Sequence, residues 1–126
     1  MAIIGIGIDI TEISRIAQAV TGHGERFIRK VYTPSEADFC SRAGAPERHF
    51  AGRWAAKEAF YKALPPAVQP LSSWLSVQIL PDPAGRPRLE IREQRLKQAL
   101  TEAGVSSVHL SITHERTHCA AVVILD

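Results

Sequence analysis

Three side chains in this sequence are of types, and at spacings, that suit chemistry. Glu58 and Lys62 lie four residues apart within Trp54-Ala-Ala-Lys-Glu-Ala-Phe-Tyr-Lys-Ala-Leu64. Asp9 closes the run Ile4-Gly-Ile-Gly-Ile-Asp9. On a helix, a spacing of four makes two side chains neighbours on one face, with Cβ atoms about 5–6 Å apart. A carboxylate and an ammonium held there beside apolar surface can bind a metal ion and a phosphate. The same pair can instead form an exposed salt bridge worth about 0.3–0.5 kcal/mol. Asp9 has two readings as well: a metal ligand at a strand end, or the cap of a helix that begins near Thr11.

The elements that must position these groups are legible from periodicity. Ala56, Ala59, Phe60, Ala63 and Leu64 follow the helical rule for a core-facing stripe, and Glu58 and Lys62 lie roughly opposite, beside Trp54 and Ala55. Pro46 is placed to open this long helix and Pro65-Pro66 to end it. At the amino end, Ile4, Ile6, Ile8 and Ile10 alternate with Gly5, Gly7 and Asp9, which predicts a strand. Its isoleucine face is expected to be buried. Its glycine face invites close approach by something bulky. Gly5-Ile-Gly7 lacks the third glycine of a dinucleotide site, and the chain has no Walker sequence.

Further along, Ile13, Ile16, Ala17 and Val20 predict a helix stopped near Gly22, followed by a short helix over 25–30. Thr33-Pro-Ser-Glu36 is a capping box with proline at the first helical position. Leu75, Val77 and Ile79 mark a strand that returns through the Pro81–Pro87 turn to Leu89 and Ile91. Leu96, Ala99, Leu100 and Ala103 define a helix ending at Gly104. Strands near 108–113 and 117–125 form a hairpin through Glu115-Arg116. Segregated helices and hairpins predict an α+β fold around a mixed or antiparallel sheet, with one long central helix.

A length of 126 residues predicts one domain over 1–126, and 45% hydrophobic with 22% charged residues can build a core. The net charge of +2 is too small to imply nucleic-acid binding, which disfavours a magnesium-dependent nuclease built on the same carboxylates and lysine. No apolar run approaches the about 20 residues of a membrane span, and no basic-then-apolar leader opens the chain. Cys40 and Cys119 match no metal spacing, and a buried free thiol is the expectation for Cys119. A cytoplasmic setting is expected. His23, His49, His109 and His118 form no constellation.

Taken in order, four stretches resemble the holo-[acyl-carrier-protein] synthase family of small 4'-phosphopantetheinyl transferases, and the likeness spans nearly the whole chain. They are Gly5-Ile-Gly-Ile-Asp-Ile-Thr-Glu-Ile-Ser-Arg-Ile16, Val31-Tyr-Thr-Pro-Ser-Glu36, Phe50-Ala-Gly-Arg-Trp-Ala-Ala-Lys-Glu-Ala-Phe-Tyr-Lys-Ala-Leu64 and Val108-His-Leu-Ser-Ile-Thr-His-Glu-Arg116. One departure is Pro65-Pro-Ala-Val-Gln-Pro70, where the family commonly has a glycine-rich turn beside coenzyme A. The resemblance implies transfer of phosphopantetheine from coenzyme A to a serine of apo acyl carrier protein, with release of adenosine 3',5'-bisphosphate. It implies Mg²⁺ held by Asp9 and Glu58, with Glu58, Lys62 and Asp9 as catalytic residues. Arg53, Thr113 and His114 are implied to contact coenzyme A, although His114 also reads as a turn-flanking histidine. Arg15 matches the family's carrier-protein helix, while Arg26, Arg29 and Lys30 join it on charge alone. A homotrimer with active sites between subunits is implied, and so is a place in lipid metabolism, whether fatty acid biosynthesis or polyketide synthesis. A binding module of the same fold, without catalysis, is the alternative.

Overall fold

A computed structural model describes residues 2–126. Strand β1 (Gly5–Glu12) runs into helix α1 (Ile13–His23), and α2 (Glu25–Val31) and α3 (Pro34–Arg42) follow. Helix α4 (Pro46–Ala63) leads through two short 3-10 turns to the hairpin β2 (Val77–Pro81) and β3 (Pro87–Ile91). Then come α5 (Gln94–Glu102), β4 (Val108–His114) and β5 (His118–Leu125). The fold is α+β. Strands β1, β5 and β4 make one antiparallel sheet in that order, and β2 and β3 pair antiparallel in a second, so among the described residues both sheets are antiparallel rather than mixed.

Helix α4 is the axis of the molecule. Its alanines 51, 55, 56, 59 and 63, with Phe50 and Phe60, are all buried. Side chains this small let a helix backbone come close to a sheet. Along β5, Cys119, Ala121, Val123 and Leu125 turn inward onto it, every second residue, as a strand with one buried face requires.

The amino-terminal strand corrects one expectation. Its alternation is as predicted, but the face turned to the protein's own core is the glycine face. A Cβ on Gly5 would sit 1.9 Å from the Ala63 carbonyl oxygen, and one on Gly7 would sit 1.9 Å from that of Ala59. The bulky object that approaches the glycines is therefore α4. Isoleucines 6, 8 and 10 point away, and are 62%, 67% and 72% exposed. Backbone proximity, rather than side-chain hydrophobicity, decides which face turns inward.

Other elements match their sequence signals. Thr33 Oγ1 accepts from the Glu36 amide while a Glu36 carboxylate oxygen accepts from the Thr33 amide, closing the capping box at 3.2 and 2.9 Å. Pro46 stands in the first turn of α4, whose last residue precedes Leu64 and the two prolines. Gly104 takes φ +90°, the left-handed conformation that follows a helix end. Leu75 departs from its expected strand: it lies in a 3-10 turn, Trp74–Ser76, and is exposed. Ala103 likewise falls just past α5 and is exposed.

Candidate active site

Asp9, Lys62 and Glu58 meet where β1 crosses the last turns of α4. Lys62 Nζ donates to Asp9 Oδ1 at 3.1 Å and to the Ile8 carbonyl at 3.3 Å. Thr11 Oγ1 donates to the other Asp9 oxygen at 2.7 Å. Asp9 does not cap α1, whose N-cap is Glu12 with no side-chain hydrogen bond. Nor does Lys62 close on Glu58. The ion pair runs between α4 and β1, tying two elements far apart in sequence.

Glu58 is half-buried, and no hydrogen bond to its carboxylate is found among the described residues. Burial pushes its pKa up first, and the Asp9 carboxylate pushes it further, while Lys62 and Arg15 pull it down. Two neighbouring carboxylates with one free of protein partners form a donor set that suits an oxygen-seeking dication. Among the described residues no third Asp, Glu, His or Cys joins them, so such an ion would complete its shell with water and substrate oxygens. Mg²⁺ fits those terms, because it keeps several waters and is usually held by one or two carboxylates plus phosphates.

A cleft of about 270 Å³ opens beside Glu58, between α4 and the segment carrying Ser72, Ser73 and Trp74. Its wall depends on a buried ion pair that the sequence analysis overlooked. Lys57 Nζ donates to Glu36 Oε1 at 2.8 Å, to the Val31 carbonyl at 2.7 Å and to the Trp74 carbonyl at 2.7 Å. Glu36 Oε2 accepts from the Ile79 amide at 2.7 Å. Both side chains are essentially inaccessible, at 1% and 0% exposed. The available signal was the Thr33–Glu36 box, which brings a carboxylate inward at a helix start. Trp74 also stacks on Trp54 at 4.4 Å between ring centres, and Trp54 on Phe27 at 5.8 Å.

Arg53 departs from expectation. It is buried, its Nε donates to the Ile79 carbonyl at 3.1 Å, and its guanidinium lies 4.6 Å from the Phe39 ring centre. From Glu58 it is five residues back, hence about 140° round the helix. Arg53 and Lys57 together widen the buried side of α4 beyond the alanine stripe.

Thr113 and His114 are exposed at the end of β4. Consecutive strand residues take opposite faces. The register pairs His114 with Cys119 and Cys119 with Thr11, which puts His114 on the α4 side and Thr113 on the isoleucine side. His114 is a charge neighbour of His49, near the start of α4. Glu58 lies nine residues further along that helix, about 14 Å of rise. One chain therefore does not bring His114 to the carboxylates.

Arg15 sits over the Trp54 ring at 5.9 Å, close enough to act on Glu58. Arg26, Arg29 and Lys30 are exposed on α2, with Arg29 paired to Glu25 at 3.3 Å. Cys40 and Cys119 are free and buried, and burial pushes their thiols up to about 12 and about 11.

Comparison with known proteins bears on the chain as a whole. The family model for the 4'-phosphopantetheinyl transferase superfamily matches residues 5–123. A holo-[acyl-carrier-protein] synthase of Halothermothrix orenii is 40% identical over 120 residues, covering 95% of this chain and 94% of that protein. One from Koribacter versatilis is 39% identical over 125 residues, covering 98% of each. The crystal structure of holo-[acyl-carrier-protein] synthase from Neisseria meningitidis superposes with a TM-score of 0.85 at 33% identity, over 99% of both chains. The Helicobacter pylori synthase, solved in complex with coenzyme A, superposes with a TM-score of 0.79 at 28% identity, over 96% of this chain and 99% of that one. With a family model spanning all but its two ends and relatives matched over nearly their full length, the chain belongs to the holo-[acyl-carrier-protein] synthase family of 4'-phosphopantetheinyl transferases.

Proposed function

We propose that this chain transfers 4'-phosphopantetheine from coenzyme A to a serine hydroxyl of apo acyl carrier protein, leaving adenosine 3',5'-bisphosphate. The observation that carries this reading is the convergence of Asp9, Glu58 and Lys62 at the crossing of β1 and α4. The serine oxygen bonds to the phosphorus that carries the pantetheine arm, and the pyrophosphate oxygen on the nucleotide side leaves. Such phosphoryl chemistry asks the protein for position and charge rather than for a covalent intermediate.

Lys62, about half exposed and held by Asp9, is placed to face the charge that grows on the phosphate. Glu58 takes the serine proton, directly or through a water it orients. Its raised pKa makes it a stronger base than an ordinary glutamate. Asp9 and Glu58 are the residues that would hold Mg²⁺, which supplies charge neutralisation for the phosphates when bound.

The remaining assignments follow from what one chain leaves open. Isoleucines 6, 8 and 10 form an apolar face that a second copy would cover, and this supports the homotrimer. His114 and Thr113 would then serve coenzyme A at a neighbouring copy's carboxylates, a role suited to their exposure and to their distance from Glu58 in the same chain. Arg15 and Arg26, with Arg29 once released from Glu25, offer the acidic carrier protein a basic edge beside Glu58. All of this is read as one domain over 1–126. No helix among the described residues is long and apolar enough to cross a membrane. The free thiols of Cys40 and Cys119 support a cytoplasmic setting.

Mass spectrometry of an apo acyl carrier protein incubated with this chain, coenzyme A and Mg²⁺ tests the reading. One added phosphopantetheine is the expected result, lost on chelation and nearly lost in Asp9→Ala and Glu58→Ala. No addition to any of several carrier proteins would leave a binding module without catalysis.

A further inference from the structure

Thr11 contributes no group to the transfer itself, yet it is a polar side chain only 3% exposed. It shares a face of β1 with Gly5, Gly7 and Asp9, the face turned to α4, because residues two apart on a strand point the same way. Opposite it in the register stands Cys119, itself buried. A hydroxyl so enclosed must find its acceptor within the protein. Among the described residues it has one, Asp9 Oδ2 at 2.7 Å. The methyl on the same Cβ makes threonine stiff at χ1, so packing fixes where the hydroxyl points.

We propose that Thr11 is a positioning residue: its hydroxyl fixes the plane of the Asp9 carboxylate and thereby sets the affinity of the site for Mg²⁺. The proposal rests on the transferase reading, in which Asp9 and Glu58 would hold that ion. A carboxylate turns easily about its last bond, because that torsion lacks sharp staggered wells. In Asp9 the two oxygens are held by different donors, Lys62 Nζ on Oδ1 at 3.1 Å and Thr11 Oγ1 on Oδ2. One donor leaves a carboxylate free to swing about that contact, whereas two donors on separate oxygens set its plane. The donors are unequal. Lys62 is a long side chain, 51% exposed and drawn also to the Ile8 carbonyl. Thr11 is short, buried and on the same strand as Asp9. It is the constant partner. Loss of such a hydrogen bond behind a metal-binding carboxylate typically costs about 10–100-fold in metal affinity or activity.

The probe is Mn²⁺, which takes the same oxygen ligands as Mg²⁺ and whose binding to the full chain is read from the loss of the free ion's paramagnetic resonance signal. Thr11→Val keeps the shape and removes the donor, and should weaken Mn²⁺ by about tenfold or more. Thr11→Ser keeps a donor and should bind close to the wild type, while Thr11→Ala should bind as weakly as Thr11→Val. The serine and alanine variants differ only in the hydroxyl, so their comparison decides the matter even where valine disturbs the packing against Cys119. Thermal unfolding of the same variants separates the structural share. A hydroxyl that merely satisfies its own strand would lower the melting temperature of Thr11→Val and leave Mn²⁺ affinity unchanged, and that result would overturn the proposal. So would a Thr11→Ser variant that binds as weakly as Thr11→Ala. A wild-type chain that binds no Mn²⁺ would remove the metal site and the role of Thr11 together. Variants that bind Mn²⁺ in the expected order, in a chain that transfers no phosphopantetheine, would overturn the transferase reading and still support the hold of Thr11 on Asp9.

Discussion

Gly7→Ala should damage stability and turnover through a single displacement. The added Cβ would stand 1.9 Å from the Ala59 carbonyl oxygen and 2.8 Å from the Ala63 amide nitrogen. Both are backbone atoms of α4, so no side chain can swing aside. Strand and helix must separate by the difference between 1.9 Å and the 3.4 Å at which ordinary contact begins, about 1.5 Å. Overpacking of this kind costs about 1–3 kcal/mol and sometimes more. Asp9 lies two residues further along the same strand, with Lys62 bonded to it at 3.1 Å. Moving β1 therefore pulls one carboxylate away from the other and from the ammonium. Misplacement by about 1 Å can cost about 10²-fold in rate. Denaturant unfolding and kcat/KM with an apo carrier protein would measure the two losses separately. Gly22 in α1 is the control: nothing lies within 4 Å of a Cβ built there, and alanine in a helix is favoured over glycine by about 0.5–1 kcal/mol. Gly22→Ala should thus keep activity and gain slightly in stability. A Gly7→Ala variant with wild-type stability and turnover would refute the claim that close backbone contact with α4 positions Asp9.

Lys57→Met should cost about 3–5 kcal/mol in chemical denaturation, because Glu36 is left as a buried carboxylate without its cation; adding Glu36→Gln should recover part of that loss. Glu58 sets a pH dependence in the metal-free chain, where burial and the Asp9 carboxylate raise its folded-state pKa above the ordinary glutamate value of about 4.3. A pKa higher in the folded state means that Glu58 favours the fold below its unfolded pKa, and that this contribution is lost as pH rises through the folded value. Glu58→Gln should therefore melt higher than wild type above that range and match it at lower pH, as thermal unfolding against pH would show. Arg15→Glu should weaken carrier-protein use far more than coenzyme A binding, and should flatten the fall of kcat/KM as the Debye length shrinks from about 30 Å to about 10 Å. An unchanged salt slope would remove α1 from the docking surface.

What the sequence determined by itself was local: elements whose signals lie within one turn or one strand. The Thr33–Glu36 box, the prolines bounding α4, Gly104 and the alternation of β1 each act over a few residues, so their outcome does not depend on distant parts of the chain. The chemical types of Asp9, Glu58 and Lys62 were legible for the same reason. Only the tertiary structure decided what faces what. Periodicity separates the isoleucine side of β1 from the glycine side, but it cannot say which side meets α4; the 1.9 Å clearances at Gly5 and Gly7 do. Helical spacing makes Lys62 a neighbour of Glu58, yet its ammonium goes to Asp9, supplied by a strand 53 residues away. Nothing local to the sequence marks Arg53 or Lys57 as buried, and the packing of Glu36, Ile79 and Trp74 around α4 draws both inside. A buried charge is stable only where partners from several elements converge on it, and that convergence is a property of the assembled fold.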